Sequence, residues 1–172
     1  MLKAIMILPF NVLVSIPVLI LYFNDFKMIE TQNFYALLLT FILLTSGLTL
    51  IIWTIKLFAQ TGKGSLAPWN PINKLITTGP YAYVRNPMLL GVFLCLGAES
   101  ILFQSWPLFY YLLIFIGINM LYFPLSEEKG LYKKYGKEYL EYKRNVPRFI
   151  PRLHPYKNTA PKNKSSIKSP QN

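Results

Sequence analysis

The chain has 172 residues, 53% of them apolar, a mean hydropathy of +0.33 and a formal net charge of +11. The length suits one domain, and the apolar content excludes an ordinary soluble protein, so we expect an all-α integral membrane protein in the lipid bilayer. No nucleic-acid recognition motif accompanies the positive charge, which argues against a nucleic-acid partner. A single cysteine, Cys95, and a single histidine, His154, make a metal centre or a Ser-His-Asp triad improbable.

Four apolar runs predict about four transmembrane helices: 4–23, 34–55, 88–103 and 106–125. A spanning helix needs about 20 residues, with a lower limit near 17. The third run reaches this length if its helix starts near Pro87 and continues to Gln104. Ser105 would then cap the fourth helix at Trp106, which predicts a tight antiparallel hairpin of helices three and four.

The charged residues predict the orientation of these helices. The loop between the second and third helices, 56–86, carries four Lys or Arg and no acid, whereas the loop between the first two carries two acids and one Lys. After Leu125 there are twelve Lys or Arg against four Glu. The positive-inside rule therefore places the 56–86 loop and both termini in the cytoplasm, where the loop and the C-terminal region can form one site.

The junction between this loop and the third helix is a candidate anion site. Asn86 is a favoured N-cap residue and Pro87 suits the first helical position. The first-turn N–H groups and the positive helix end would face the loop, beside the permanent charge of Arg85. The alternative is that Arg85 anchors the helix to phospholipid headgroups and Asn86 is simply a cap.

Three acidic residues require an explanation. Glu127 and Glu128 directly follow the fourth helix, where the helix dipole disfavours carboxylates, so we expect them to find a cation or a polar ligand. A solvated helix end is the alternative. Glu99 lies within the third helix, where an ionisable residue is a functional candidate by default. It is close to the far end of that helix, and the favoured interpretation is that its side chain reaches the outer headgroups.

The C-terminal third divides into a helix, an extended segment and a tail. Tyrosines recur at helical spacing over 130–145, which predicts an amphipathic helix on the cytoplasmic membrane surface. Prolines hold 146–152 extended, so that this segment can fold back over the bilayer surface. The lysine-rich segment 157–172 is predicted to be a disordered basic tail following a single domain, 1–156.

Three motifs, in this order, resemble the isoprenylcysteine carboxyl methyltransferase family: 73–87 (NKLITTGPYAYVRNP), Glu127-Glu128, and 135–147 (YGKEYLEYKRNVP). The resemblance covers roughly residues 56–152. It implies an integral membrane methyltransferase that uses S-adenosylmethionine, with related members that methylate phospholipid amines.

Carried over by position, the resemblance implies a cofactor pocket. Glu127, with Glu128 beside it, would be the acidic ligand of the cofactor, and Arg85 is our own inference for the methionine carboxylate. The other cofactor-binding candidates lie around the Gly79-Pro80 turn and the helix start: Asn73, Lys74, Leu75, Ile76, Tyr81, Asn86, Pro87, Met88 and Leu89.

Two positions depart from the family pattern. Asn86 stands where the family often has His, so a neutral cap is kept and a titratable group is lost. Phe123 stands four residues before Glu127, where eukaryotic prenylcysteine enzymes tend to carry an Arg that would pair with a substrate carboxylate. We therefore expect a lipophilic methyl acceptor without a free carboxylate, entering from the membrane, in preference to prenylcysteine.

The chemistry of methyl transfer fits such a site. It is an in-line displacement that positioning and exclusion of water can accelerate, and it requires no metal or covalent nucleophile. No residue is assigned as a general base. Two alternatives remain open: an NADPH-dependent enzyme resembling the membrane sterol reductases, and a small membrane protein without enzymatic activity. Cofactor binding distinguishes the three.

Overall fold

The computed structural model describes residues 10–24, 33–61 and 75–157, and within these ranges the chain is helical without any strand. A π-helical turn, Asn11–Ser15, leads into α1, Ile16–Phe23, and the long α2 is Phe34–Thr61. A 3₁₀ turn, Gly79–Ala82, precedes α3, Pro87–Leu102, and α4, Trp106–Tyr122. A second π-helical turn, Phe123–Glu127, joins α4 to α5, Glu128–Asn145.

Two of the described helices are long and apolar enough to cross a membrane. They are Phe34–Leu57 and Trp106–Asn145, a stretch that comprises α4, the second π-helical turn and α5. The apolar helices Asn11–Phe23 and Pro87–Leu102 are shorter. Residues 4–9 of the first apolar run lie outside the described residues, and the count of four spans stays a prediction.

The caps predicted for the α3–α4 hairpin are confirmed. The side chain of Asn86 accepts a hydrogen bond from the backbone N of Leu89 at 3.3 Å, and that of Ser105 accepts one from Leu108 at 3.4 Å. The predicted end of α3 at Gln104 is wrong, because Gln104 adopts a positive φ of 44° and reverses the chain. At 1.5 Å per residue α3 is about 24 Å long, less than a hydrocarbon core of about 30 Å.

Small residues bring α2 and α3 into close contact. A Cβ atom at Gly47 would lie 2.7 Å from the backbone oxygen of Gly91 and from Cys95 Sγ, so no larger residue fits between the helices. Five buried side chains form the adjoining core: Ile51, Val92, Cys95, Leu96 and Leu112. This packing fixes the start of α3 against α2.

The C-terminal region folds back on the loop before α3. Gly136 breaks α5 with φ 54° and ψ −125°, so α5 consists of two arms, 128–135 and 137–145. The following segment then forms backbone hydrogen bonds with 82–86: Arg85 N to Pro147 O at 2.9 Å, Asn86 N to Arg148 O at 3.3 Å, Arg152 N to Tyr83 O at 3.0 Å and Tyr156 N to Ala82 O at 2.9 Å. The segment therefore folds back onto residues 82–86, whereas its predicted position over the bilayer surface stays a prediction. Placement of α5 at the membrane surface stays a prediction, and the tail from Asn158 lies outside the described residues.

Candidate functional site

The loop before α3 is held from both sides. Leu75 and Ile76 are each 8% exposed, and Leu75 packs against Tyr139, Tyr142 and Val146 of the C-terminal region. These two predicted cofactor residues therefore lie inside the protein. The other two candidates of this stretch, Asn73 and Lys74, lie outside the described residues.

The 3₁₀ turn places Tyr81 beside the second arm of α5. The hydroxyl of Tyr142 donates a 2.7 Å hydrogen bond to the backbone oxygen of Tyr81, which fixes the turn to α5. Burial raises the pKa of the Tyr81 phenol, and the neighbouring Tyr142 and Glu127 raise it further, so the phenol is neutral. Glu127, although far from the turn in sequence, therefore lies close enough for its charge to act on the Tyr81 phenol.

The other glutamate is the centre of an ion cluster, which we call the Glu128 cluster: Arg85, Glu128, Lys143 and Arg148. Glu128 Oε1 accepts hydrogen bonds from Arg85 Nη1 at 2.7 Å and from Arg148 Nε and Nη2 at 3.1 and 2.7 Å. Glu128 Oε2 accepts one from Lys143 Nζ at 2.5 Å. The cluster ties the loop, α5 and the folded-back segment to one carboxylate.

The centre of the Glu128 cluster is buried, which strengthens the electrostatic interactions there. The side chains of Glu128 and Arg85 are 3% and 9% exposed, against 24% for Arg148 and 43% for Lys143. Burial by itself would raise the pKa of the Glu128 carboxyl, but the hydrogen bond from Lys143 and the charges of Arg85 and Arg148 together lower it. Glu128 is therefore ionised and neutralises one of the three surrounding positive charges.

Glu127 has different surroundings from its neighbour. Its residue is exposed, and among the described residues no cation lies within ion-pair distance of it. Nearby groups nevertheless displace part of the water around its carboxyl and raise its pKa. Successive helical residues point about 100° apart, which separates the two side chains. Glu127 is thus the acid of the pair that remains available to a ligand.

Arg85 is partly engaged and partly free. Its Nη1 donates to Glu128 and, at 3.3 Å, to the hydroxyl of Tyr139, whereas its Nε is buried without a hydrogen-bond partner. A buried donor without a partner is costly and rare in native structures, and a bound ligand is one explanation for it. The expectation that Arg85 faces an anionic group is consistent with this free donor.

The start of α3 lies directly beside Arg85. Pro87 is buried at the first helical position, and Asn86, Met88 and Leu89 are half-buried. The loop, the helix start and the glutamate pair predicted from the three motifs therefore come together in space.

Sequence reasoning missed Lys143, Arg148 and Tyr139, which complete the surroundings of Arg85 and Glu128. One available signal was the pair of acids set among many basic residues, since a buried carboxylate there requires cations. The guanidinium of Arg148 also lies 6.0 Å from the ring centre of Phe123, the position that lacks the family arginine. Two of its nitrogens bind Glu128, so this arginine does not leave an open fork for a substrate carboxylate.

Glu99 lies apart from this site. One of its carboxyl oxygens, Oε2, is buried in the protein without a hydrogen-bond partner. The residue as a whole is half-buried, so the expectation that its side chain reaches the outer headgroups stays a prediction.

Comparison with known proteins agrees with the motifs. Residues 35–138 match the family model described as phospholipid methyltransferase, which covers more than half of the chain, including the described part of the loop, α3, α4 and the glutamate pair. No curated protein matches the chain. The resemblance to isoprenylcysteine and phospholipid methyltransferases is thereby confirmed at the level of the family.

Proposed function

Because the chain belongs to the phospholipid methyltransferase family, we propose that it is a membrane enzyme that transfers a methyl group from S-adenosylmethionine to a lipophilic acceptor. The observation that carries this proposal is the hydrogen bond between Arg85 and Glu128, 43 residues apart in sequence. It brings the helix start and the glutamate pair together at one end of the α3–α4 hairpin.

The residues around Arg85 fit the charges of the cofactor. The amino-acid part of S-adenosylmethionine carries a carboxylate, for which the free Nε of Arg85 is a suitable donor, and the positive end of the α3 dipole lies beside it. It also carries an ammonium group, for which the unpaired carboxylate of Glu127 is a suitable acceptor. When bound, the cofactor supplies an electrophilic methyl group on a sulfonium.

The two glutamates then have separate tasks. Glu127 binds the cofactor, whereas Glu128 is a positioning residue whose oxygens hold Arg85, Arg148 and Lys143. Tyr142 acts in the same way on the turn that carries Tyr81. The protein contributes orientation and exclusion of water, which is what an in-line displacement needs.

The proposed orientation places this site, and both termini, on the cytoplasmic side, where the soluble cofactor is available. The acceptor enters from the bilayer. Phe123 is 7% exposed and Arg148 is held by Glu128, so neither position offers an open arginine for the carboxylate of a methyl acceptor. We propose a lipid amine, or a small hydrophobic thiol or alcohol, as the acceptor.

Calorimetric titration of the purified protein tests the cofactor. We expect S-adenosylhomocysteine to bind and NADPH not to bind. Glu127→Gln should weaken binding by about tenfold or more, because it removes a charged hydrogen-bond partner worth about 1.5–3 kcal/mol. The matched control is Glu141→Gln, an exposed glutamate of α5, which should bind as the parent does. Binding of NADPH alone would favour the reductase alternative, and binding of neither would favour a protein without this activity.

Labelled S-adenosylmethionine tests the acceptor. The protein is incubated with either a membrane lipid extract or a prenylcysteine analogue, and label is expected in the lipid fraction. Methyl ester formation on the analogue, without label in lipid, would overturn the proposed acceptor while leaving the cofactor proposal intact.

A further inference from the structure

A groove of about 280 Å³ lies between the two arms of α5. Gly136 breaks the helix, and the bond from Lys143 to Glu128 joins the second arm to the start of the first. Lys129 and Tyr132 of the first arm and Leu140 and Lys143 of the second line it. The groove shares Glu128, Tyr139 and Lys143 with the surroundings of Arg85, but the proposed cofactor ligands Arg85 and Glu127 do not line it.

The charge of the groove is unbalanced. Lys129 and Lys143 both line it, and the one acid in its lining, Glu128, is already bound by three cations. Lys143 gives one of its three N–H donors to Glu128 and is 43% exposed, so further donors face the solvent side. Such an arrangement attracts an anion.

The groove also adjoins a large apolar surface. Pro124, in the π-helical turn after α4, belongs to its lining, and the neighbouring Leu121 and Leu125 are 69% and 63% exposed. Tyr132 and Leu140, 52% and 37% exposed, add an aromatic and an aliphatic face at the groove itself. In a membrane protein, exposed apolar side chains next to lysines mark the level where acyl chains meet phosphates.

We propose that this groove binds the phosphate headgroup of an anionic membrane phospholipid, with the acyl chains lying along the exposed apolar residues at the end of α4. Lys129 and Lys143 donate to the phosphate oxygens. The bound lipid is not the methyl acceptor of the proposed reaction; it holds the two arms of α5 together. Because Lys143 also binds Glu128, the lipid stabilises the Glu128 cluster.

The test is thermal unfolding of the full chain in a neutral detergent, with short-chain phosphatidylglycerol as the probe. We expect a saturable rise in the unfolding midpoint, since a ligand that binds the folded state stabilises it. Phosphatidylcholine of the same chain length should raise the midpoint much less. Glycerol phosphate, which has the anion but no acyl chains, should have little effect.

Two matched variants distinguish a groove from a diffusely charged surface. Lys129→Gln removes a lysine that lines the groove, and Lys133→Gln removes an exposed lysine of the same arm that does not. Lys129→Gln should weaken the apparent affinity for phosphatidylglycerol about fivefold, the effect of one lysine near an anionic lipid, whereas Lys133→Gln should leave it near the parent value. Both positions are exposed, so both variants should fold, and their unfolding midpoints without lipid serve as the check.

Equal losses in the two variants would overturn the proposal in favour of general surface attraction. Equal shifts with glycerol phosphate would overturn it in favour of a free-phosphate site. Equal shifts with phosphatidylcholine would show that the groove does not select an anion. None of these results bears on binding of S-adenosylhomocysteine, so the cofactor proposal is tested separately.

Discussion

Glu127 and Glu128 are chemically identical neighbours with different environments. Glu128 is 3% exposed and bound by three cations, whereas Glu127 is exposed near Tyr81 and is not in that cluster. A buried carboxylate that lost its charge would leave Arg85, 9% exposed, with an uncompensated positive charge. Substitution of Glu128 should therefore lower the stability of the protein, whereas substitution of Glu127 should affect ligand binding.

Glu128→Gln should destabilise the protein, by on the order of 3 kcal/mol, because it removes the partner of a buried arginine. The outer cation, Lys143, is 43% exposed and contributes little to this figure. Glu127→Gln should leave stability nearly unchanged while it weakens cofactor binding. Unfolding midpoints of both variants beside the parent provide the measurement, and equal stability of all three would contradict a structural role for Glu128.

The same carboxyl predicts a pH dependence. The pKa of Glu128 is lowered in the folded protein from its ordinary value of 4.5. The stabilisation that the ionised Glu128 gives the folded protein is therefore complete above about pH 4.5, the ordinary pKa. It is lost as the pH falls through the lowered pKa of the folded state. Unfolding of the parent and of Glu128→Gln should be compared from pH 7 downwards. The difference between them should shrink in acid, and a constant difference would contradict this linkage.

At the scale of elements, local signals were sufficient for the caps and insufficient for the cluster. Asn86 and Ser105 cap α3 and α4 as predicted, because a cap depends on residues within one turn. The contacts of Arg148 and Lys143 with Glu128 depend on the break at Gly136 and on the path of the chain after α5. No pattern within a short window of sequence determines those contacts.

The 3₁₀ turn gives a prediction at this scale. Gly79 has φ +60°, and a Cβ there would lie 3.4 Å from Leu57 and 3.5 Å from Trp53 of α2. Gly79→Ala should therefore cost about 1–2 kcal/mol of stability through backbone strain. The control is Gly130→Ala, which has open space and no positive φ, and should stabilise α5 slightly. A similar loss of stability in both variants would contradict this explanation.

For the whole molecule, the ion pair between Arg85 and Glu128 constrains topology even though α3 is short for a spanning helix. It places the start of α3 and the segment that follows α4 at one level, so the α3–α4 hairpin returns the chain to the side from which it came. The bond from Tyr156 N to Ala82 O places the end of the described chain there as well. The lysine bias of the sequence predicts that this end of the hairpin lies on the cytoplasmic side.

Cysteine labelling in oriented vesicles tests this topology. Lys63→Cys, in the loop before α3, and Asn158→Cys, after the last described residue, should react from the same side, because the hairpin between them adds no net crossing. The positive-inside rule predicts that this side is the cytoplasm and that Lys27→Cys, in the acidic loop before α2, reacts from the opposite side. The parent protein is the background control, since its Cys95 is 1% exposed and should not react. Labelling of positions 63 and 158 from opposite sides would contradict the hairpin. Labelling of both from the outer side would contradict only the predicted orientation.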